Sequence, residues 1–208
     1  MGEYLVVCIG RQFGSGGHEI GSALAKELHL PLYDKELLKK AAADSGIVEE
    51  LFEKADEKAV NSFLYASTMG VQAAVGSFAN YDDYLTNDKL FRLQSNAIKE
   101  IAAAGPCVII GRCADYILRT SPRRLSVFIH APLELRVQRI AKLYNIEEDA
   151  ARSMIKKTDK NRANYYSFYA DGDWGAAATY DLCLNAGKLG IEKSVQMLKG
   201  ACEQLTFE

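Results

Sequence analysis

The residues best placed to do chemistry are Gly14-Ser15-Gly16-Gly17 and the adjoining His18, which join an apolar run, Tyr4–Ile9, to a stretch of helical period. Glycines let backbone N–H groups converge on an anion without side-chain obstruction, and a following helix aims its unsatisfied N–H groups and positive dipole end at the same point. That order, strand, glycine turn and helix, predicts a phosphate site. The full phosphate-loop signature is GxxxxGK[ST]. With Gly16 set at its second glycine, Arg11 stands at the first glycine, Gly17 at the lysine and His18 at the magnesium-holding Ser/Thr. Arg11 is therefore the candidate for the missing cation, although a solvated Arg11 is equally compatible with its place in the chain. The dinucleotide pattern GxGxxG fits less well, because Gly14, Gly16 and Gly21 have the wrong last spacing and only Asp34 offers the acidic partner.

Further charged candidates stand at the ends of apolar runs. Asp34 follows Leu30–Tyr33, where it serves as a helix N-cap, a ligand, or both. Arg112 follows Pro106–Ile110 and Gly111, a place that suits an anion site. Arg136 and Arg139 sit three apart beside an apolar stripe of Leu133, Val137, Ile140 and Tyr144, free either for a ligand or for solvent. Asp159, Arg162, Tyr166 and Tyr169 share a helix face, with Asp159 and Arg162 spaced to pair with each other. Trp174, between Gly172 and Gly175, is a packing anchor or a stacking surface for a base. The histidines have no metal-ligand spacing, and the magnesium ligands are not assigned by any motif.

The elements that must carry these residues are short β-branched runs alternating with longer helical patterns. Tyr4–Ile9, Leu30–Tyr33, Pro106–Ile110, Arg124–His130 and Asp181–Leu184 read as strands, and several are apolar on both sides, as in a parallel sheet covered by helices. Helical patterns follow Gly16, span Ala131–Tyr144 and Glu147–Tyr169, and close the chain from Gly190 to Leu205. Between Lys35 and Ala104 no strand is evident, and the stretch reads as a helical insertion in the same α/β domain.

Composition excludes several classes. With 208 residues, 49% hydrophobic and 25% charged, the chain fits an ordinary globular domain. A net charge of -2 supplies no field for a nucleic-acid polymer, so any phosphate must be gripped locally. No apolar run is long enough for a membrane span, and the start has no secretory pattern, which predicts a cytoplasmic protein. Five cysteines without a CxxC pair predict buried thiols and no disulfide framework or zinc site.

Taken in order, GRQFGSGGHEIG, LPLYDKELL, IIGRCADYIL, HAPLELRVQRI, DKNRANYYSFY and YDLCLN resemble the cytidylate-kinase-like family of P-loop kinases, the nucleoside-monophosphate-kinase type, nearly end to end. The resemblance implies a three-layer P-loop fold with a five-stranded parallel sheet in one domain, residues 1–208, an acceptor-binding insertion at about 35–104 and a lid at about 134–172. It implies ATP as donor with Mg²⁺, and a nucleoside monophosphate as acceptor, CMP or dCMP first. Gly14, Ser15, Gly16, Gly17 and His18 would hold the donor, and Asp34, Arg112 and Lys160 the acceptor. Arg11, Arg136, Arg139 and Arg162 would stabilise the transferring group, with Lys157 a further lid cation. The departure is Gly17, where the family's enzymes proper have lysine. It keeps open a nucleotide-binding protein without transfer and a kinase for a non-nucleotide metabolite. Tyr81, Tyr84 and Phe91 in the insertion suit contact with the acceptor or with a second copy of the chain.

Overall fold

The computed structural model describes residues 5–34 and 79–204, those of 79–90 by their backbone alone. The chain divides into two compact units, Met1–Lys35 with Lys99–Glu208, and Glu36–Ile98. The sheet, the glycine loop and the cavities described below all belong to the first. The expected insertion falls mostly outside the described residues, which include its last helix, α2 (Ala79–Ala104), and the side chains of Tyr81 and Tyr84 are not described.

Five parallel strands, β1 (Val6–Arg11), β2 (Leu32–Tyr33), β3 (Cys107–Ile110), β4 (Arg124–His130) and β5 (Leu182–Asn185), form one sheet in the order β2-β3-β1-β4-β5. Each of the five apolar runs is thus a strand, displaced by no more than two residues at most ends. β1 lies centrally because it pairs on both edges, Ile9 opposite Ile110 on one side and Val127 on the other. Its last residues therefore open at the crest of the sheet, beside the ends of β3 and β4.

The helices are α1 (Gly17–Glu27), α3 (Ala114–Ile117), α4 (Leu133–Tyr144), α5 (Glu148–Tyr169) and α6 (Ala186–Gln204), the last broken at Gly190 by a positive φ of 75°. On one sheet face Val7, Ile9, Val108, Ile110, Val127 and Ile129 meet Ile20 and Leu24 of α1 and Val195 and Leu198 of α6. The two-residue period sends Gly10 to the other face, where Phe128 and Tyr180 close on it. Cys8, Cys107 and Cys113 are buried and all five cysteines are free. A second core joins α4 to α5 through Val137, Ile140, Ala151 and Ile155, and Phe13 of the glycine loop packs against it. No helix among the described residues is long and apolar enough to cross a membrane.

β4 and β5 are tied by Asp181, whose Oδ2 accepts from both the backbone N–H and the hydroxyl of the fully buried Ser126, each at 2.7 Å. Removing the carboxylate would leave two buried donors unsatisfied, at about 1–3 kcal/mol. Asp181→Ala is accordingly expected to lower unfolding free energy by about 2 kcal/mol in urea denaturation. A midpoint equal to the unaltered protein's would contradict this.

Candidate active site

The glycine loop runs from the end of β1 into α1. Gly14 (φ 78°) and Gly16 (φ 87°) adopt left-handed backbone that glycine alone enters without strain. No side chain caps α1, so its first N–H groups face outward from the loop as an anion site would require. Ser15 turns its hydroxyl back to the carbonyl of Gln12 at 2.9 Å and does not line the cavity in front of the loop. Gln12 braces the loop from the other side, its Oε1 accepting from Ala131 N–H at 3.2 Å.

The loop is also held from α5. Asp159 Oδ1 accepts from Phe13 N–H at 2.7 Å, and its Oδ2 meets Arg136 Nη1 at 2.5 Å. Arg136 further donates to the carbonyls of Ala131 and Phe13, at 3.0 and 3.2 Å. Its guanidinium is thus buried and committed to loop backbone, a different place from the lid position facing a phosphate. The i,i+3 spacing suggests that Asp159 pairs with Arg162, but Asp159 is drawn instead to Arg136 on the neighbouring helix. Arg162 donates to Arg11 O at 3.0 Å and lies 5.6 Å from the Phe13 ring centroid.

Two cavities open at this crest. One, of about 320 Å³, lies before the glycine loop and is lined by Gly14, Gly16, Gly17, His18, Arg139 and Tyr144 among others. Arg139 there is paired with Glu19. The other, of about 330 Å³, lies at the ends of β1 and β3 and is lined by Gly10, Arg112, Asp115, Tyr166, Trp174 and Tyr180 among others. Arg11 and Arg162 line both. Lys160 is exposed and lines neither; Asp34 lines neither but bonds His18 at 3.2 Å.

Arg11 occupies space that two glycines leave open. A Cβ on Gly17 would lie 2.5 Å from Arg11 Cβ, and one on Gly111 would lie 2.0 Å from Arg11 Nη1. The position that carries lysine in the full signature must therefore be glycine while Arg11 follows this course. Burial lowers the Arg11 pKa, and the charges of Arg162 and then Arg112 lower it further, with Asp34 opposing. Burial likewise lowers that of Arg162, with Asp159 opposing. Guanidiniums so crowded gain from an anion between them. Arg112 and Cys113, at φ 58° and 54°, hold left-handed conformations that cost non-glycine residues about 1–3 kcal/mol each. That strained turn sets Arg112 at the cavity.

Asp115 and Tyr180 escape a reading of sequence alone because no local spacing joins them to each other or to Tyr166, which shares a face of α5 with Arg162. Tyr166 donates to Asp115 Oδ2 at 2.6 Å. Burial raises the Asp115 carboxyl, against the Tyr166 bond that lowers it, and burial followed by Asp115 raises the Tyr166 phenol. Trp174 is a packing anchor, standing edge-on to Phe128 at 5.2 Å, and it also lines the cavity. Among the described residues no cluster of three or more His, Cys, Asp or Glu side chains could hold a metal ion. His18 stands where the signature has its hydroxyl, and its Nε2 lies 3.2 Å from Asp34 Oδ2.

A parallel sheet of this order with a glycine loop after its central strand defines a P-loop kinase fold. A shikimate kinase from Bacteroides thetaiotaomicron has that fold, with a TM-score of 0.54 at 19% identity over 96% of this chain and 98% of that one. An uncharacterised protein from Eubacterium ventriosum superposes with a TM-score of 0.74 at 28% identity, covering 97% and 99% of the two chains. The cytidylate kinase-like family model matches residues 6–188, and the chain belongs to that family. It is 31% identical over 109 residues to a cytidylate kinase from Methanocaldococcus jannaschii, 51% of this chain and 61% of the relative. Over 110 residues it is 31% identical to one from Thermococcus sibiricus, 51% and 55% of the two. The chain thus spans less than two thirds of the length of these relatives.

Gly17→Ala tests the packing of Arg11. Alanine gains at most about 1 kcal/mol of helix propensity over glycine, whereas overpacking costs about 1–3 kcal/mol. Net destabilisation in chemical denaturation is expected; an equal or raised midpoint would show that Arg11 does not run beneath α1.

Proposed function

We propose that the protein is an ATP- and Mg²⁺-dependent phosphotransferase acting on a nucleoside monophosphate, with CMP or dCMP the first acceptor to try. The observation that carries this reading is that Arg11 and Arg162 line both cavities. A phosphoryl group passing from one ligand to the other would cross between them.

On this reading Gly14, Gly16, Gly17 and His18 hold the donor phosphates through loop and helix N–H groups, with Arg139 at the mouth. Arg112 binds the acceptor phosphate, and Asp34 orients His18. An ionised oxygen of the acceptor phosphate attacks the γ-phosphorus, the bond from that phosphorus to the β,γ-bridging oxygen breaks, and ADP leaves with the bond's electron pair. No proton need be removed from a phosphate already ionised. The transition state is loose and spreads charge over the equatorial and bridging oxygens, so positioned cations suffice. Arg11 and Arg162 supply them, and Arg11 takes the task of the missing lysine. Arg136 acts through the loop it holds. Mg²⁺ would supply further screening of phosphate charge, and Asp34, bonded to His18 at the start of α1, is the carboxylate that would hold it.

Gly17 favours a second reading, a nucleotide-binding protein without transfer. The two are separated by ADP release over a panel of monophosphates alongside ATP calorimetry. Transfer to at least one acceptor supports the enzyme; tight ATP binding with no transfer to any selects the second. Arg11→Ala is expected to lower kcat/KM about 10-fold or more, since each 1.4 kcal/mol of lost stabilisation is tenfold. Unchanged kinetics would remove Arg11 from the site.

A further inference from the structure

The cavity at the ends of β1 and β3 has one wall that the transfer step leaves largely unused. Thr158, Asn161, Arg162 and Tyr165 of α5 all line it, at i, i+3, i+4 and i+7, so two turns of one helix face run along the cavity. Arg162 belongs to the phosphate side, since it lines the donor cavity as well. Thr158 and Asn161 differ in kind. Both are polar and neutral, and neither side chain has a hydrogen-bond partner among the described residues. Asn161 is also exposed, so its amide is open to a ligand without any bond having to break.

Position along the helix separates the two. Residues four apart on a helix are neighbours, with about 5–6 Å between their Cβ atoms. Thr158 stands four before Arg162, beside the cation, whereas Asn161 stands four before Tyr165, beside an aromatic ring. The Tyr165 ring is braced by Tyr169, edge-on at 4.9 Å, and Trp174 adds ring surface to the same cavity. A planar ring laid on Tyr165 would therefore bring one edge within reach of Asn161. An amide offers a carbonyl acceptor and an N–H donor side by side. Its complement is a heterocycle edge with a donor beside an acceptor, as in the amino group and adjacent ring nitrogen of cytosine. At about 330 Å³ the cavity falls within the range of roughly 300–1,000 Å³ typical of small-molecule sites.

We propose that Asn161 is a specificity-determining residue of the acceptor site. Its amide carbonyl accepts from the amino group of a heterocycle stacked on Tyr165, and its amide N–H donates to the ring nitrogen beside that group. The assignment rests on this cavity being the acceptor site.

The test is equilibrium binding and steady-state kinetics of the full chain with CMP and with the 2-pyridone ribonucleotide, which keeps the ring, sugar and phosphate of CMP but lacks both the amino group and the ring nitrogen beside it. Asn161→Leu keeps the fold, because leucine has the higher helix propensity at this exposed position. It is expected to weaken CMP about 10-fold, with the loss falling on KM more than on kcat. The pyridone nucleotide is expected to bind the unaltered protein about 10-fold more weakly than CMP, and Asn161→Leu adds nothing to that. Tyr165→Leu, matched to the unaltered protein by its melting curve, is expected to weaken both ligands alike, by about 10-fold, because both stack. Equal losses on the two ligands in Asn161→Leu, unchanged CMP affinity in either variant, or no binding of the pyridone nucleotide to the unaltered protein would each overturn the assignment while leaving the acceptor reading intact. Failure of CMP itself to bind the unaltered protein would instead overturn the acceptor reading, and this assignment with it.

Discussion

A single arginine side chain, laid between two glycines, sets the terms for the rest of the crest. Arg11 leaves β1 on the face that Val7 and Ile9 share, passes beneath the first turn of α1 at Gly17 and reaches across Gly111 at the end of β3. Three strand or helix ends are thereby fitted around one cation. A lysine stem at Gly17 would need the volume that Arg11 fills, so the two ways of placing a positive charge near the loop exclude each other. Gly111 in turn leads into Arg112 and Cys113, whose left-handed backbone persists only because packing around it is well determined.

The loop that faces the cation is made rigid by groups outside it. Asp159 and Arg136 take both the N–H and the carbonyl of Phe13, while its ring sits against the α4–α5 core. A buried ion pair alone recovers its desolvation cost poorly. Here each partner has backbone bonds to complete it, so its effect is to fix loop geometry. Arg162, one turn along α5, bonds the carbonyl of Arg11. The α4–α5 hairpin and the glycine loop are thereby tied together, and a cation pair is kept at the boundary of two cavities.

Local pattern made much of this legible. Five apolar β-branched runs marked the strands because a sheet covered on both faces needs them, and the glycine turn before a helical period marked the loop. Strand parity also places Arg11 on the α1 side, since residues two apart share a face. Arg136 and Asp159 were harder. Twenty-three residues separate them, and their types and spacing within each helix equally fit solvent, a phosphate or each other's neighbours. Asp115 and Tyr180 gave no signal, and Tyr166 showed only as one of a helix face, for the three converge only when α3, α5 and the segment before β5 meet on one sheet face. The insertion's own readings lie mostly outside the described residues.

By itself the sequence determined the family, the strands, the phosphate loop and the absence of its lysine, because these depend on local periodicity, glycine at fixed offsets and motif order. Which arginine faces an open cavity and which is buried against backbone was decided only in three dimensions. Guanidinium donors go to whatever acceptors packing brings near, and for Arg136 those were buried carbonyls and Asp159, while Arg11 and Arg162 met two open cavities.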